Sequence, residues 1–93
     1  MIVSDTRADR LRAALLHAFP GAAVAVRDDS HLHAGHSGAR PGGETHYSVQ
    51  VLWTGFAGQG RVARQRAVNQ AVAAEFDAGL HALAIDAREP AGN

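Results

Sequence analysis

The chain has 93 residues, nine Arg against nine Asp and Glu, no Lys and no Cys; 46% of it is hydrophobic and 19% charged. Zero net charge argues against a generally basic nucleic-acid binder, and the missing cysteines exclude disulfides, Cys-type zinc sites and a thiol nucleophile. The length fits one domain, 1–93, with its core over about 5–88. No run of about 18 apolar residues is present to span a membrane, and Met1-Ile2-Val3-Ser4-Asp5 is not the start of a secretory signal. A cytoplasmic protein without membrane contact is the expectation.

Residues 5–19 read as a helix, because Leu11, Leu15, Ala18 and Phe19 recur at i, i+4, i+7 and i+8 while Arg7, Arg10 and Arg12 mostly take the other side. Thr6 with Asp9 supplies a capping-box-like start, and Pro20-Gly21 a stop. Ala22 to Arg27 predicts a short strand from the alternation of Val24 and Val26, ended by the turn-favouring Asp28-Asp29-Ser30. Residues 30–43 hold four Gly and one Pro without periodicity and read as a flexible His/Gly-rich loop. From His46 the alternation is strict, with Tyr47, Val49, Val51 and Trp53 on one face and His46, Ser48 and Gln50 on the other, as in a half-buried strand.

After the Gly-rich 55–60 stretch, a helix is expected over 61–77, carrying Val68, Val72 and Phe76 at i, i+4 and i+8 and stopping at Gly79. An extra helical turn near Gly58 fits the same pattern. Leu80 to Ala87 supplies a third strand, in which Leu83 and Ile85 alternate. A helix between strands two and three makes them parallel if adjacent, whereas strands one and two can pair antiparallel. The expected fold is an α+β sandwich, a mixed three-stranded sheet with helices on one face.

Candidate chemistry centres on the six histidines. His31, His33 and His36 fall within six residues, and His46 follows at the start of strand two. Neutral imidazoles ligate zinc, copper, nickel or iron, and a glycine-bearing loop can gather them; a plain solvated loop is the competing reading, since no HExxH or Cys signature accompanies them. His81 opens strand three, where a structural role competes with ligation. Gly58-Gln59-Gly60-Arg61-Val62-Ala63 spells GxGxxA, but the chain is smaller than a two-half nucleotide domain, so a Gly-rich turn is the better account. Gly55-Phe56-Ala57-Gly58 spells GxxG, yet it follows a strand instead of joining two helices. Arg61, Arg64 and Arg66 sit early on the second helix and can meet phosphates or form an ordinary solvated face. No catalytic constellation is present, so an enzyme is not expected.

Taken together, several stretches resemble the BolA family: Asp29-Ser30-His31-Leu32-His33-Ala34-Gly35-His36, Gly42-Gly43-Glu44-Thr45-His46-Tyr47, Phe56-Ala57-Gly58, Arg64-Gln65-Arg66-Ala67-Val68-Asn69 and His81-Ala82-Leu83. They cover roughly residues 8–90, with Gln65 standing where the family usually has His. The resemblance implies a BolA-like, class II KH-like fold in the order α-β-β-α-α-β. It also implies a monothiol glutaredoxin partner and a shared 2Fe–2S cluster. The glutaredoxin cysteine and a bound glutathione would supply two ligands; the positions matching the remaining two are His81 and His33. His31, His36 and His46 stand as alternates for His33. Imidazole in place of thiolate makes such a cluster less negative and easier to reduce, and only the neutral ring binds iron. The family also includes DNA-binding transcriptional regulators of morphology and stress response, for which Arg61, Arg64 and Arg66 are the candidate contacts. The isolated protein is expected to hold no cofactor and to be a monomer or weak dimer.

Overall fold

The computed structural model describes residues 6–29 and 46–91. The predicted loop over 30–43, with His31, His33 and His36, lies outside the described residues. The elements are α1 (Arg7–Ala18), β1 (Ala23–Asp28), β2 (His46–Leu52), a 3-10 turn (Thr54–Phe56), α2 (Arg61–Ala71), α3 (Ala73–Asp77) and β3 (Ala82–Arg88). The extra turn expected near Gly58 thus falls slightly earlier.

Helix α1 begins as its sequence requires. The Thr6 hydroxyl oxygen accepts from the Asp9 backbone N–H at 3.2 Å and donates to the Asp9 carboxylate at 3.0 Å. The helix ends before Pro20, and Gly21 takes φ +84°, a left-handed conformation that costs glycine little. Leu11, Leu15 and Phe19, spaced four apart, are buried against the sheet.

One expectation is corrected. The helix read as continuous over 61–77 breaks at Val72, whose φ −112° and ψ 18° leave the helical region. Val68 and Val72 are both fully buried and Phe76 packs against the same core, so the apolar spacing runs on through the break. Periodicity could not reveal it. Beyond the break, α3 turns Glu75 inward, where it meets Arg7 Nε at 3.1 Å and Arg10 Nε at 3.0 Å. Arg7 also donates to the Ala78 carbonyl at 2.9 Å, tying the start of α1 to the end of α3. A buried carboxylate needs such partners to avoid the cost of desolvation.

The sheet order is β1-β2-β3. β1 and β2 are antiparallel from Ala23↔Leu52 to Asp28↔Tyr47, and β2 and β3 are parallel from His46↔Ala82 to Leu52↔Arg88. Tyr47, Val49 and Val51 are buried beneath the helices, while His46, Ser48 and Gln50 occupy the other face, half-buried. Period-2 alternation sets this division. Both free edges are guarded. Arg12 donates to the Val24 carbonyl at 3.0 Å, while Gln65 and Arg64 donate to the Ile85 and Ala87 carbonyls on the opposite edge at 3.1 and 2.7 Å.

Candidate metal-ligating site

Since β2 is antiparallel to β1 and parallel to β3, the end of β1 and the starts of β2 and β3 meet at one end of the sheet. The chain leaves the sheet there after Asp29 and returns at His46. The Asp29 backbone N–H donates to the His46 carbonyl at 2.7 Å, so the ladder continues to this pair. The Asp29 carboxylate is buried and receives Arg27 Nε at 2.6 Å and the Ser48 hydroxyl. Sequence reasoning read Asp29 as a turn residue and missed this anchor. The signal was available, because Asp29 directly continues the pairing of β1 and stands two residues after Arg27, on the same face.

His81 is placed by the end of α3. Gly79 adopts φ +120°, its N–H donates to the Phe76 carbonyl at 3.2 Å, and the Leu80 N–H donates to the Glu75 carbonyl at 2.9 Å. These two bonds form a Schellman motif, the geometry that a glycine one residue past the helix cap permits. Leu80 is then buried in the core and His81, next in line, is exposed immediately before β3. The His46 and His81 rings meet edge to face, with centroids 6.0 Å apart and planes at 74°. His46 and His81, far apart in sequence, are therefore neighbours at the mouth of the 30–45 segment.

The two rings make a suitable but incomplete donor set for a transition metal. Imidazole suits zinc, copper, nickel and iron. Among the described residues, no group of three His, Cys, Asp or Glu side chains converges on one point. A metal group held here would take its remaining ligands from outside the described residues. His33, His31 and His36 lie outside the described residues, so among the alternates for the loop ligand only His46 is placed beside His81.

The arginines named for nucleic-acid contact do not act as a set. Arg61 and Arg66 are exposed on α2. Arg64 is half-buried and donates to the carbonyls of Ala87 and Gln59 at 2.7 and 2.6 Å, a structural engagement. The GxxG stretch is similarly occupied: Phe56 is buried, and a Cβ on Gly55 would lie 2.5 Å from the Trp53 ring.

The sequence pattern of the BolA family, described as BolA-like protein, matches residues 15–92. This chain belongs to the BolA family. It is 44% identical over 77 residues to an uncharacterized protein in the cobS 5′ region of Sinorhizobium sp., covering 82% of this chain and 83% of that one. It is 38% identical over 88 residues to the chloroplastic protein BOLA1 of Arabidopsis thaliana, covering 92% of this chain but only 55% of that relative's length. Among solved structures, BolA1 from Arabidopsis thaliana superposes with a TM-score of 0.82 at 36% identity, covering 95% of this chain and 96% of that one. The BolA domain of SufE1 from the same plant gives 0.80 at 33% identity, covering 95% and 96%. The BolA fold expected from sequence, a mixed three-stranded sheet with helices on one face, is thereby established. No helix among the described residues is long and apolar enough to cross a membrane.

Proposed function

We propose that this BolA-like chain is an adaptor that pairs with a monothiol glutaredoxin and co-ligates a 2Fe–2S cluster in iron–sulfur or iron homeostasis, with His81 and His33 as its ligands. The observation that carries this reading is the placement of His81. It stands exposed on a backbone anchored by a Schellman motif, beside the point where the chain returns from the histidine-bearing 30–45 segment. A ligand that must reach iron held partly by another protein needs both exposure and a rigid base. Imidazole ligation would give the cluster a higher potential than all-thiolate ligation.

The test is co-purification with a monothiol glutaredoxin and glutathione under anaerobic conditions, read by visible absorption and circular dichroism. His33→Ala combined with His81→Ala is expected to abolish or reshape the cluster spectrum of the heterodimer. An unchanged spectrum overturns the ligand assignment, and failure of the two proteins to associate overturns the partnership.

A second reading, DNA-binding regulation of transcription, draws support from a groove of about 280 Å³ between α2 and β3. Arg61, Arg64 and Arg88 line it against one acid, Asp86. Arg61 and Arg88 are both exposed, and Arg88 Nε lies 3.3 Å from the Asp86 carboxylate. Removing one phosphate-binding cation should flatten the slope of log affinity against log salt by about 0.9. Arg61→Ala is expected to do so for duplex DNA; undetectable binding at low ionic strength rejects the reading.

A further inference from the structure

We infer that Arg7 is a positioning residue for His81: its guanidinium clamps the turn that carries the exposed imidazole, so that the ring is presented in one orientation. That a single orientation matters rests on the function proposed above, whereas the clamp itself belongs to the partner-free chain.

The local structure requires a restraint from outside. Helix α3 has only five residues, Ala73–Asp77, and is cut off from α2 at Val72. A helix this short has too few internal hydrogen bonds to hold itself. The Schellman bonds tie Gly79 and Leu80 to the Phe76 and Glu75 carbonyls, so they fix His81 to α3 and not to the sheet. Phe76 and Leu80 pack into the core, yet apolar burial is non-directional. It sets how deep the turn sits and opposes rotation about the buried side chain only weakly. Hydrogen bonds, which depend on angle as well as distance, supply the missing restraint.

Arg7 brings them from α1. Its Nε meets the Glu75 carboxylate at 3.1 Å, and its Nη2 donates to the Ala78 carbonyl at 2.9 Å, three residues before His81. One rigid planar fork thus spans a side chain of α3 and the backbone of the turn that follows it. The Glu75 carboxylate is itself steadied by Arg10 Nε at 3.0 Å. Arg7 and Glu75 side chains are each only 11% exposed, so water competes little for these bonds. The Ala78 carbonyl lies at the C-terminal end of α3, where helix carbonyls lack an intrahelical partner. A lysine reaches one of the two acceptors but does not hold both in a fixed plane. Without the fork, His81 would meet a metal group over a spread of orientations.

The experiment compares amide hydrogen exchange at Gly79, Leu80 and the buried Val51 in the full chain without partner, for wild type, Arg7→Lys and Arg10→Lys. Arg7→Lys is expected to speed exchange at Gly79 and Leu80 about tenfold relative to Val51, since a hydrogen bond from a charged group is lost. It should also lower the ¹⁵N order parameter of His81. Arg10→Lys disturbs the same carboxylate from its more exposed side and should speed that exchange by no more than about threefold. With a monothiol glutaredoxin and glutathione, Arg7→Lys should still assemble a cluster but lose it about tenfold faster, with an altered circular dichroism spectrum, while Arg10→Lys matches wild type. A rise at Gly79 and Leu80 only in step with Val51, an equal effect of Arg10→Lys, or an unaltered cluster lifetime and spectrum beside the loosened turn each overturn the inference. If the wild-type pair forms no cluster, the function proposed above falls and the exchange and relaxation measurements still decide the clamp. Far-ultraviolet circular dichroism checks the fold. Should Arg7→Lys unfold, Glu75→Gln, which keeps an acceptor for the fork but not its charge, carries the same comparison with the same expected result.

Discussion

The two ends of the sheet in this molecule are built on opposite principles. At the end where β1 begins and β2 and β3 finish, Phe19, Trp53 and Phe56 stack with ring centroids 5.1–5.2 Å apart, and the Trp53 indole N–H donates to the Pro20 carbonyl at 2.9 Å. Apolar area and a satisfied indole close that end. At the other end, Asp29, His46 and His81 gather at the strand termini, His81 open to solvent, and backbone hydrogen bonds hold them instead of packing. The same topology thus concentrates stability at one end and ligating side chains at the other. A change at the closed end should cost folding free energy, whereas a change at the open end should cost function and little else.

The strongest attack on this division is Phe56→Ala. The ring is fully buried between two aromatic neighbours, so truncation should destabilise the protein by about 3–5 kcal/mol. Urea denaturation measures it, and a loss below about 1 kcal/mol would show that the aromatic cluster does not close the fold. Next comes Glu75→Ala, which leaves Arg7 and Arg10 without their shared carboxylate where α1 meets α3. Removing one member of a largely buried ionic group should cost about 2–3 kcal/mol, discounted because Arg10 is partly exposed. The same denaturation curve checks it. Asp29→Ala removes the open end's own anchor and is the exception there. It leaves Arg27 and the Ser48 hydroxyl without their acceptor and should cost about 1–2 kcal/mol. Hydrogen exchange at the His46 end of β2 should rise while exchange at Val51 stays slow.

Much of the closed end and the sheet was legible in the sequence, because long periodic segments state their burial directly. Leu11, Leu15 and Phe19 marked out α1, and the alternation from His46 to Trp53 marked out β2. The Val72 break was hidden, since Val68, Val72 and Phe76 keep a helical spacing on both sides of it. The open end was only partly legible. Motif resemblance singled out His81, and the residues around it explain its exposure: Gly79 ends α3 and Leu80 turns inward. The contact between His46 and His81 could not be read from a chain in which 34 positions separate them; it depends on the parallel register of β2 and β3. Gln65 carried a similar ambiguity. It looked like a missing imidazole, but its amide donates to the Ile85 carbonyl on the edge of β3.

The smallest expected effect sharpens the comparison most. His81→Ala removes an exposed ring whose one described contact is the edge-to-face meeting with His46, while the buried Leu80 and the Schellman hydrogen bonds use backbone that the substitution leaves intact. Folding stability should therefore change by no more than about 0.5 kcal/mol. In the same sample, the cluster spectrum with glutaredoxin should be lost or reshaped. If stability drops by about 2 kcal/mol or more, comparable to what the α1–α3 ionic group supplies, His81 belongs to the scaffold and the contrast between the two ends fails. If stability holds but the cluster spectrum does not move, the open end is real and its ligands lie elsewhere. An unchanged denaturation midpoint beside a lost spectrum is the one combination that a folding role for His81 cannot produce.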